Sequence, residues 1–420
     1  MTPGNVVDQN QVIVIGGGAA GFFAAINVAL KNPGLKITIL EKTTKVLSKV
    51  RISGGGRCNV THSCFEDSEL IKNYPRGHKE LRQVFVQFSV TETIAWFESN
   101  GVRLKTENDG RMFPASDSSE TIIKCFLNLC ARLNIQVLTS CEVFSILPAQ
   151  SGFVIKTNRD VFKASYIVCA SGGHPKSGAY DFLKNLGHTI DQPLPSLFTF
   201  NIPGDKITRE LQGVSVGNAS VTILPGKMSY AGPVLVTHWG LSGPAVLKLS
   251  AFAAIPFYQS GYEADILINW IYPHTTNSAR DEMENLRAKH QRASPYSNPA
   301  FSLPRRLWEH FCAAAGIPEK ITWAETSRKY FEALLQKLVA SNYHMKGKTT
   351  FKEEFVTCGG INLKEVNFKT MESRLVPGLY FCGEVLNIDG ITGGFNFQSA
   401  WSTAYICAQT ITAVNAPKEA

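Results

Sequence analysis

Residues 11–42 constrain the fold more than any other stretch of the chain. Gln11–Ile15 is an unbroken β-branched and apolar run, which predicts a parallel strand buried on both faces. Gly16, Gly18 and Gly21 follow with the spacing G-x-G-x-x-G. In such a turn the first glycine permits the tight bend, the second lets the backbone approach a pyrophosphate, and the third lets the helix pack closely on the strand.

The segment after these glycines completes a dinucleotide-binding unit. Ala19 and Ala20 open a predicted helix, whose first N–H groups and positive dipole end face a phosphate. A second predicted strand, Lys36–Leu40, ends at Glu41, which stands where an acceptor for an adenosine ribose hydroxyl is expected. An acid there favours FAD or NAD over a 2′-phosphorylated cofactor, and the alternative is a βαβ unit that binds nothing.

Composition narrows the class of protein. The 420 residues are 44% hydrophobic and 18% charged, which is typical of a soluble globular protein with two or three domains. The net charge of +8 is spread along the sequence without a block of like charges, so no nucleic-acid partner is expected. No signal peptide or membrane span is evident, which predicts a cytoplasmic protein, and the ten cysteines show no metal-binding spacing.

A second glycine-rich stretch, ISGGGRCNVTH at 52–62, predicts another loop that contacts the cofactor. Arg57 offers a planar fork for an anion and Asn59 an amide, whereas Cys58 is expected to be a packed thiol because no second cysteine is positioned to react with it. The alternative is a flexible turn between elements. The predicted contacts in this loop are Ser53, Gly54, Gly55, Arg57, Cys58 and Asn59.

The chain resembles the bacterial flavoproteins known as the aminoacetone oxidase or BaiN-like family. The resemblance rests on six blocks spread over almost the whole chain: VIVIGGGAAG (12–21), EK (41–42), ISGGGRCNVT (52–61), GRMFP (110–114), THWGLSGPAVLKLS (237–250) and the long block 357–404. It implies that Lys42 contacts the cofactor, that a backbone group near Val143 meets the adenine, and that the turn after Ala170, through Gly172, passes the nucleotide.

Two departures from the family pattern concern the expected activity. Lys49 lies in a stretch that adds a cation before the second glycine loop, and it is a further predicted cofactor contact. The loop after Gly172, HPKSGAYDF, is shorter than in relatives. The family's amine oxidase and enone reductase activities therefore both stay open for this chain.

The C-terminal block predicts the flavin half of the site. A strand over 378–382 runs into Gly383 and Glu384, and an acid there hydrogen-bonds the ribityl chain in FAD enzymes of the glutathione-reductase type. Gly394, Phe395 and Asn396 begin a long helix whose positive end is expected to face the flavin pyrimidine. Fingerprints at both ends of the chain favour FAD over NAD, and NAD(P)H is expected only as a transient co-substrate.

The predicted fold class is α/β: a Rossmann-like FAD-binding domain of the glutathione-reductase type with an inserted β-barrel domain and a small helical domain. Strand-like runs with Gly and Pro turns from 193 onward predict the barrel, and three polar helical segments predict the helical insert. The predicted boundaries are 1–192 and 352–420 for the FAD-binding domain, 193–274 and 341–351 for the barrel, and 275–340 for the helical insert.

The predicted function is an FAD-dependent oxidoreductase that acts on a small organic substrate, with the flavin reoxidised by oxygen or reduced by NAD(P)H. His238 is the first candidate acid or base because histidine titrates near neutral pH, and His174 is a weaker second; a structural role is the alternative for each. Two other functions stay open, an FAD-dependent tRNA-modifying protein and a flavin-binding redox sensor. The sequence leaves the oligomeric state open.

Overall fold

The first sheet is built around the fingerprint strand. The computed structural model describes residues 10–226, 228–350 and 356–414, and in it Gln11–Ile15 is a strand with fully buried Val12, Ile13 and Val14 side chains. Such a strand keeps apolar side chains dry on both faces only in the interior of a covered sheet.

The chain divides into two units. Unit 1 comprises Met1–Ser196 and Lys352–Ala420, and unit 2 comprises Leu197–Phe351. The predicted domain boundary at 351 and 352 lies outside the described residues.

The strands, numbered along the described chain, are Gln11–Ile15 (β1), Lys36–Leu40 (β2), Thr61–His62 (β3), Leu104–Thr106 (β4), Arg111–Pro114 (β5), Gln136–Leu138 (β6), Val143–Ala149 (β7), Gly152–Thr157 (β8), Val161–Ala164 (β9), Tyr166–Cys169 (β10), Ile190–Pro195 (β11), Thr199–Asn201 (β12), Ser215–Leu224 (β13), Ser229–Val236 (β14), Gly240–Ser242 (β15), Glu263–Asn269 (β16), Ser341–Lys346 (β17), Lys348–Thr349 (β18), Thr357–Ile361 (β19), Val366–Asn367 (β20), Glu372–Ser373 (β21) and Leu379–Phe381 (β22). The α-helices are Ala19–Lys31 (α1), Ser48–Gly56 (α2), Asp67–Leu70 (α3), His78–Phe85 (α4), Val90–Ser99 (α5), Glu120–Arg132 (α6), Asp181–Lys184 (α7), Lys206–Glu210 (α8), Pro244–Phe252 (α9), Ala254–Gln259 (α10), Thr276–Lys289 (α11), Arg305–Ala314 (α12), Arg328–Val339 (α13) and Phe395–Val414 (α14).

The main sheet of unit 1 joins the two ends of the chain. Its order is β20-β21-β22-β10-β1-β2-β6, and the five strands from β22 to β6 are parallel. Because β10 lies between β1 and β22, the N-terminal fingerprint and the C-terminal block meet in one sheet. This is the Rossmann-like α/β arrangement that the sequence predicts.

The helices α1 and α14 meet in an aromatic core. Phe23 of α1 is fully buried, and its ring lies near five aromatic rings with centroid distances between 4.4 and 6.5 Å. These rings belong to Phe88, Trp96, Phe97, Phe126 and Trp401.

Three small antiparallel sheets complete unit 1, with the orders β3-β5-β4, β7-β8-β9 and β11-β19. Asp117 and Glu120 have the spacing of a capping box, which predicts a cap at the start of α6, and this prediction is wrong. Asp117 has a positive φ of 54° and pairs with Lys105, so its carboxylate turns away from the helix, which begins at Glu120. The local spacing carried no information about this longer-range ion pair.

Unit 2 contains an antiparallel sheet of seven strands in the order β17-β16-β13-β14-β15-β12-β18. In the described part of this unit the ladders end at β17 and β18, so the predicted barrel closure is not among them. Side chains from α11, α12 and α13 share one hydrophobic core with the sheet, as Trp308 and Leu334 do with Ile266 and Trp270. Among all described residues, no helix is long and apolar enough to cross a bilayer.

Replacing Phe23 with alanine tests the aromatic core. Removing a fully buried phenyl ring costs the transfer free energy and leaves a cavity, so we expect the free energy of unfolding to fall by about 3–5 kcal/mol. Urea unfolding followed by tryptophan fluorescence measures this change. Phe65→Ala is the matched control, because that side chain is 55% exposed, and we expect less than about 0.5 kcal/mol there. Equal losses in the two variants would contradict the assigned core.

Candidate FAD site

The three glycines of the fingerprint meet different surroundings. A Cβ on Gly16, whose φ is +111°, would lie 2.2 Å from the carbonyl oxygen of Ala170, and one on Gly21 would lie 1.9 Å from that of Gly16. These two glycines are required by the close packing of α1, β1 and β10. A Cβ on Gly18, by contrast, would meet no protein atom within 4 Å. The space beside Gly18 is therefore open to an external group.

The N-terminus of α1 faces that space without a protein partner of its own. Gly18 is the N-cap, no side chain caps the helix, and the first turn, which begins with Ala19 and Ala20, has no acidic residue. Uncapped N–H groups and the helix dipole together suit an anion. This open glycine cradle fits the pyrophosphate of FAD.

Glu41 is fixed beside the glycine turn. One carboxylate oxygen accepts the N–H of Gly17 at 2.8 Å, and the other accepts the N–H and hydroxyl of Thr43 at 2.8 and 2.7 Å. These bonds hold the carboxylate at the end of β2. Each oxygen has more than one lone-pair direction, so the group can also accept a ribose hydroxyl.

Lys42 and His174 form a neighbouring pair. The ammonium of Lys42 donates to a ring nitrogen of His174 at 3.2 Å, and the backbone N–H of His174 donates to the hydroxyl of Tyr180 at 2.9 Å. Burial and the nearby Lys42 charge lower the pKa of His174 below its ordinary value. The imidazole is consequently mainly neutral at pH 7.

In the second glycine loop the backbone leaves helical geometry at Ser53, Gly54 and Gly55, as expected for a loop. A Cβ on Gly55 would again meet no protein atom, whereas one on Gly54 would lie 2.8 Å from the Phe113 ring. Gly55 is thus the position of this loop that is open to a ligand.

The side chains that follow the loop are held by the protein itself. The guanidinium of Arg57 lies 3.9 Å from the centre of the Phe113 ring and donates to Glu107 at 2.5 Å. Cys58 is fully buried, and burial raises the pKa of its thiol to about 12, which leaves it protonated and unreactive. The amide of Asn59, oriented by its hydrogen bonds, accepts from the N–H of Gly394 at 3.0 Å.

The C-terminal block packs directly on the fingerprint. A Cβ on Gly383, whose φ is +73°, would lie 2.7 Å from the Cβ of Ala20, so this glycine lets the C-terminal turn approach α1. A Cβ on Gly394 would lie 2.5 Å from the carbonyl oxygen of Thr61. The two halves of the predicted site are therefore adjacent in unit 1.

Glu384 is surrounded by polar groups that also suit a cofactor. It accepts from the ammonium of Lys49 at 2.5 Å and from the N–H of Thr357 at 2.9 Å. The hydroxyl oxygen of Thr357 is buried and has no hydrogen-bond partner among the described atoms. A buried hydroxyl without a partner is costly, and a polar ligand group at this position would satisfy it. The unpartnered hydroxyl of Thr357 therefore fits a bound cofactor, as the open space beside Gly18 does.

The start of α14 is braced by side chains. Phe395 stacks on the His62 ring at a centroid distance of 4.7 Å, and its carbonyl oxygen accepts the hydroxyl of Tyr74 at 2.7 Å. The amide of Asn396 both donates to and accepts from the backbone of Gly390. The loop before α14 is consequently rigid.

Sequence reasoning missed His62 and Thr357 as parts of this region. Both lie inside motifs that the sequence singled out, but neither stands at a position with a known spacing rule. The Nδ1–H of His62 donates to the carbonyl of Gly393 at 3.0 Å, and only the folded chain brings these two residues together.

The remaining predicted residues lie at three places. Val143 is the first residue of β7, in the small sheet β7-β8-β9, and Gly172 has a φ of +78° with no protein atom near its Cβ position. His238 lies in unit 2, exposed on the turn between β14 and β15. Its predicted role stays a prediction, as do the other predicted cofactor contacts.

Comparisons with known proteins agree with this geometry. The family described as "HI0933-like protein Rossmann domain" matches residues 10–410. The ribosomal RNA dihydrouridine synthase of Escherichia coli K12 is 29% identical over 97% of this chain and 99% of its own. The 3-dehydro-bile acid delta(4,6)-reductase of Clostridium scindens is 27% identical over 96% of this chain and 98% of its own.

Among solved structures, 3-ketosteroid delta1-dehydrogenase from Sterolibacterium denitrificans has a TM-score of 0.53 at 12% identity, covering 97% of this chain and 100% of that one. At that identity the likeness shows the fold alone. The family match supports FAD as the cofactor, and neither an NAD(P)H co-substrate nor the aminoacetone oxidase assignment is confirmed.

Substitutions at the three fingerprint glycines should separate cofactor binding from folding. Gly18→Ala adds a methyl group to open space at an extended backbone position, so we expect an unchanged melting temperature of the apoprotein and at least tenfold weaker FAD binding. Gly16→Ala and Gly21→Ala place the same methyl group against backbone, so we expect these variants to be destabilised. Flavin fluorescence titration and thermal unfolding measure the two effects. Wild-type FAD affinity in Gly18→Ala would exclude the pyrophosphate from this cradle.

Proposed function

Because the chain belongs to the HI0933-like Rossmann family, we propose that it is an FAD-dependent reductase of a carbon–carbon double bond conjugated with a carbonyl group. The observation that carries the proposal is the two-ended site of unit 1, in which the uncapped N-terminus of α1, Glu41, Glu384 and the buried hydroxyl of Thr357 suit one extended dinucleotide. When bound, FAD supplies the hydride-transfer chemistry.

The names of two relatives support the reductase class over the oxidase class. One describes the formation of dihydrouridine, in which the ring double bond of uracil is saturated, and the other a delta(4,6)-reductase of a 3-dehydro bile acid. In uracil and in a 3-oxo steroid of this kind, the bond concerned is conjugated with a carbonyl group. That conjugation makes the distal carbon electrophilic toward hydride and leaves the carbon beside the carbonyl to be protonated.

A proton donor is the contribution that the protein must add. We propose His238 for this role, since its imidazole is exposed on the turn between β14 and β15 and an imidazole can donate a proton. His174 suits the role less well, because its lowered pKa leaves little protonated imidazole at pH 7. Its contacts with Lys42 and Tyr180 favour a positioning role beside the cofactor.

For the substrate we propose a uracil ring within RNA. The RNA-modifying relative matches this chain over nearly the full length of both proteins, and the net charge of +8 suits a polyanionic partner. This proposal departs from the expectation, drawn from the scattered charges, that no nucleic acid is bound.

Anaerobic reoxidation tests the proposed reaction. The holoenzyme is reduced and mixed separately with an unmodified structured RNA, the same RNA with its uridines replaced by dihydrouridine, a small cyclic enone, and oxygen, while flavin absorbance is followed. We expect the uridine-containing RNA to reoxidise the flavin and to gain two hydrogens in nucleoside mass analysis, whereas the saturated RNA does neither. Fast reoxidation by oxygen alone would reject the reductase assignment.

Replacing His238 with glutamine tests the proton donor. Loss of a general acid slows the step that it serves by about 10²–10⁴-fold, so we expect that fall in single-turnover reduction of the substrate, with unchanged flavin reduction by dithionite and unchanged FAD affinity. His78→Gln is the matched control, because His78 is an exposed histidine of unit 1 outside the site. Equal rates in the two variants would remove His238 from the reaction.

A further inference from the structure

Two segments of unit 2 that are distant in sequence lie side by side. The backbone N–H of Trp323 donates to the carbonyl of Ala293 at 2.9 Å, and that of Ala324 donates to Gln291 at 3.0 Å. The hydroxyl of Ser294 donates to the carbonyl of Glu319 at 3.0 Å. The end of α11 and the segment that leads into α13 therefore form one surface, which we call the basic surface and define as residues 287–293 and 317–329.

Cations dominate this surface. Its charged side chains are the cations Arg287, Lys289, Arg292, Lys320, Arg328 and Lys329 and the carboxylates Glu319 and Glu325. Glu325 already accepts the N–H and hydroxyl of Thr322 at 2.8 and 2.9 Å. Within the described residues, Lys289, Arg292, Lys320 and Lys329 are exposed and have no ion-pair partner. The surface thus carries positive charge that no carboxylate of the described residues pairs with at an ion-pair distance.

The cations at the start of α13 do not stabilise that helix through its dipole. Arg328 and Lys329 occupy the first turn, which has no acidic residue, although the positive end of a helix dipole disfavours cations there. At the end of α11 the dipole does account for Arg287 and Lys289, and Arg287 also donates to the carbonyl of Trp323. Arg328 interacts with the carboxylate of Glu332 on the same helix, whereas Lys329 has no ion-pair partner among the described residues, and a cation left so at the unfavourable end of a helix indicates an external anion.

The surroundings favour a polyanion over a membrane. The exposed large hydrophobic side chains of the described residues all lie outside the basic surface, and its Trp323 is fully buried. A membrane-binding surface adds exposed apolar side chains to its cations, and this one does not. Four unpaired cations on two segments also match a chain of phosphates better than a single small anion, which needs converging donors.

We propose that the basic surface of unit 2 binds the phosphate backbone of a folded RNA, and this inference rests on the proposed function of reducing uracil within RNA. The contacts are to phosphates, so they supply affinity and orientation and carry no base specificity. The scattered cations of the sequence form one surface only after the end of α11 and the segment that leads into α13 are brought together.

Salt-dependent RNA binding tests the surface. The FAD-loaded, oxidised protein is titrated against a fluorescein-labelled hairpin RNA with uridines in its loop, with anisotropy as the readout, at salt concentrations from about 50 to about 200 mM. The variant is Lys289→Gln, Arg292→Gln and Lys320→Gln combined. The control, Lys79→Gln, Arg82→Gln and Lys124→Gln combined, removes the same charge from exposed positions of unit 1.

We expect the surface variant to bind at least tenfold more weakly at the lowest salt concentration, and its slope of log affinity against log salt to be shallower by about 2, since each phosphate contact contributes about 0.7–0.9. The control should change affinity less than threefold. Wild-type affinity and slope in the surface variant would overturn the inference, as would equal losses in both variants or equal binding to anionic phosphatidylglycerol vesicles.

The two proposals fail separately. Binding is measured without turnover, and reduction of a free enone or of uridine is measured without RNA in the same preparations. If the basic surface binds RNA but no double bond is reduced, the RNA-binding role of the surface stands and the proposed function is rejected. If the protein reduces the free substrates but the surface variant binds RNA as the wild type does, the proposed function stands and the basic surface is rejected as the RNA-binding site.

Discussion

The close approach of α1 to its neighbours is the constraint on which unit 1 depends. Gly21 brings α1 so near to β1 that a single Cβ would lie 1.9 Å from the carbonyl oxygen of Gly16, and Gly383 brings the C-terminal turn onto Ala20. Contacts this short exclude any side chain, so the two ends of the chain can meet only through glycine. The candidate FAD site depends on that meeting, since each end of the chain supplies half of its predicted residues.

A buried polar network holds the second half in place. Gln398 of α14 accepts the hydroxyl of Thr61 at 2.6 Å and donates to Thr93 and Ser402, each at 2.9 Å. Every polar group in such a network must be satisfied, which fixes the rotation of α14 more strictly than apolar packing does. The network therefore ties α14 to β3 through Thr61 and to α5 through Thr93.

The sequence predicted those parts of unit 1 whose signals are local. The boundaries of β1 and β2 follow from runs of apolar residues, and the glycine spacing predicted the turn after β1. The partners of Thr357, His62 and Asp117 could not be predicted, because each is set by residues distant in the chain. Local patterns indicate which groups need partners, whereas the partners themselves depend on packing.

The choice of substrate, like the partners of buried groups, depends on residues that the fold brings together. A relative named for RNA and one named for a bile acid both match this chain over nearly its whole length, so the Rossmann fold does not by itself decide the substrate. The choice of substrate must then depend on surfaces outside the candidate FAD site. In unit 2 the ion pairs of the described residues leave Lys289, Arg292 and Lys320 unpaired on one face, although net charge and sequence spacing gave no sign of it. Charge that is scattered in the sequence is concentrated when two segments of unit 2 lie side by side, and under the proposed function such a face favours a substrate with many phosphates over one with a single carboxylate.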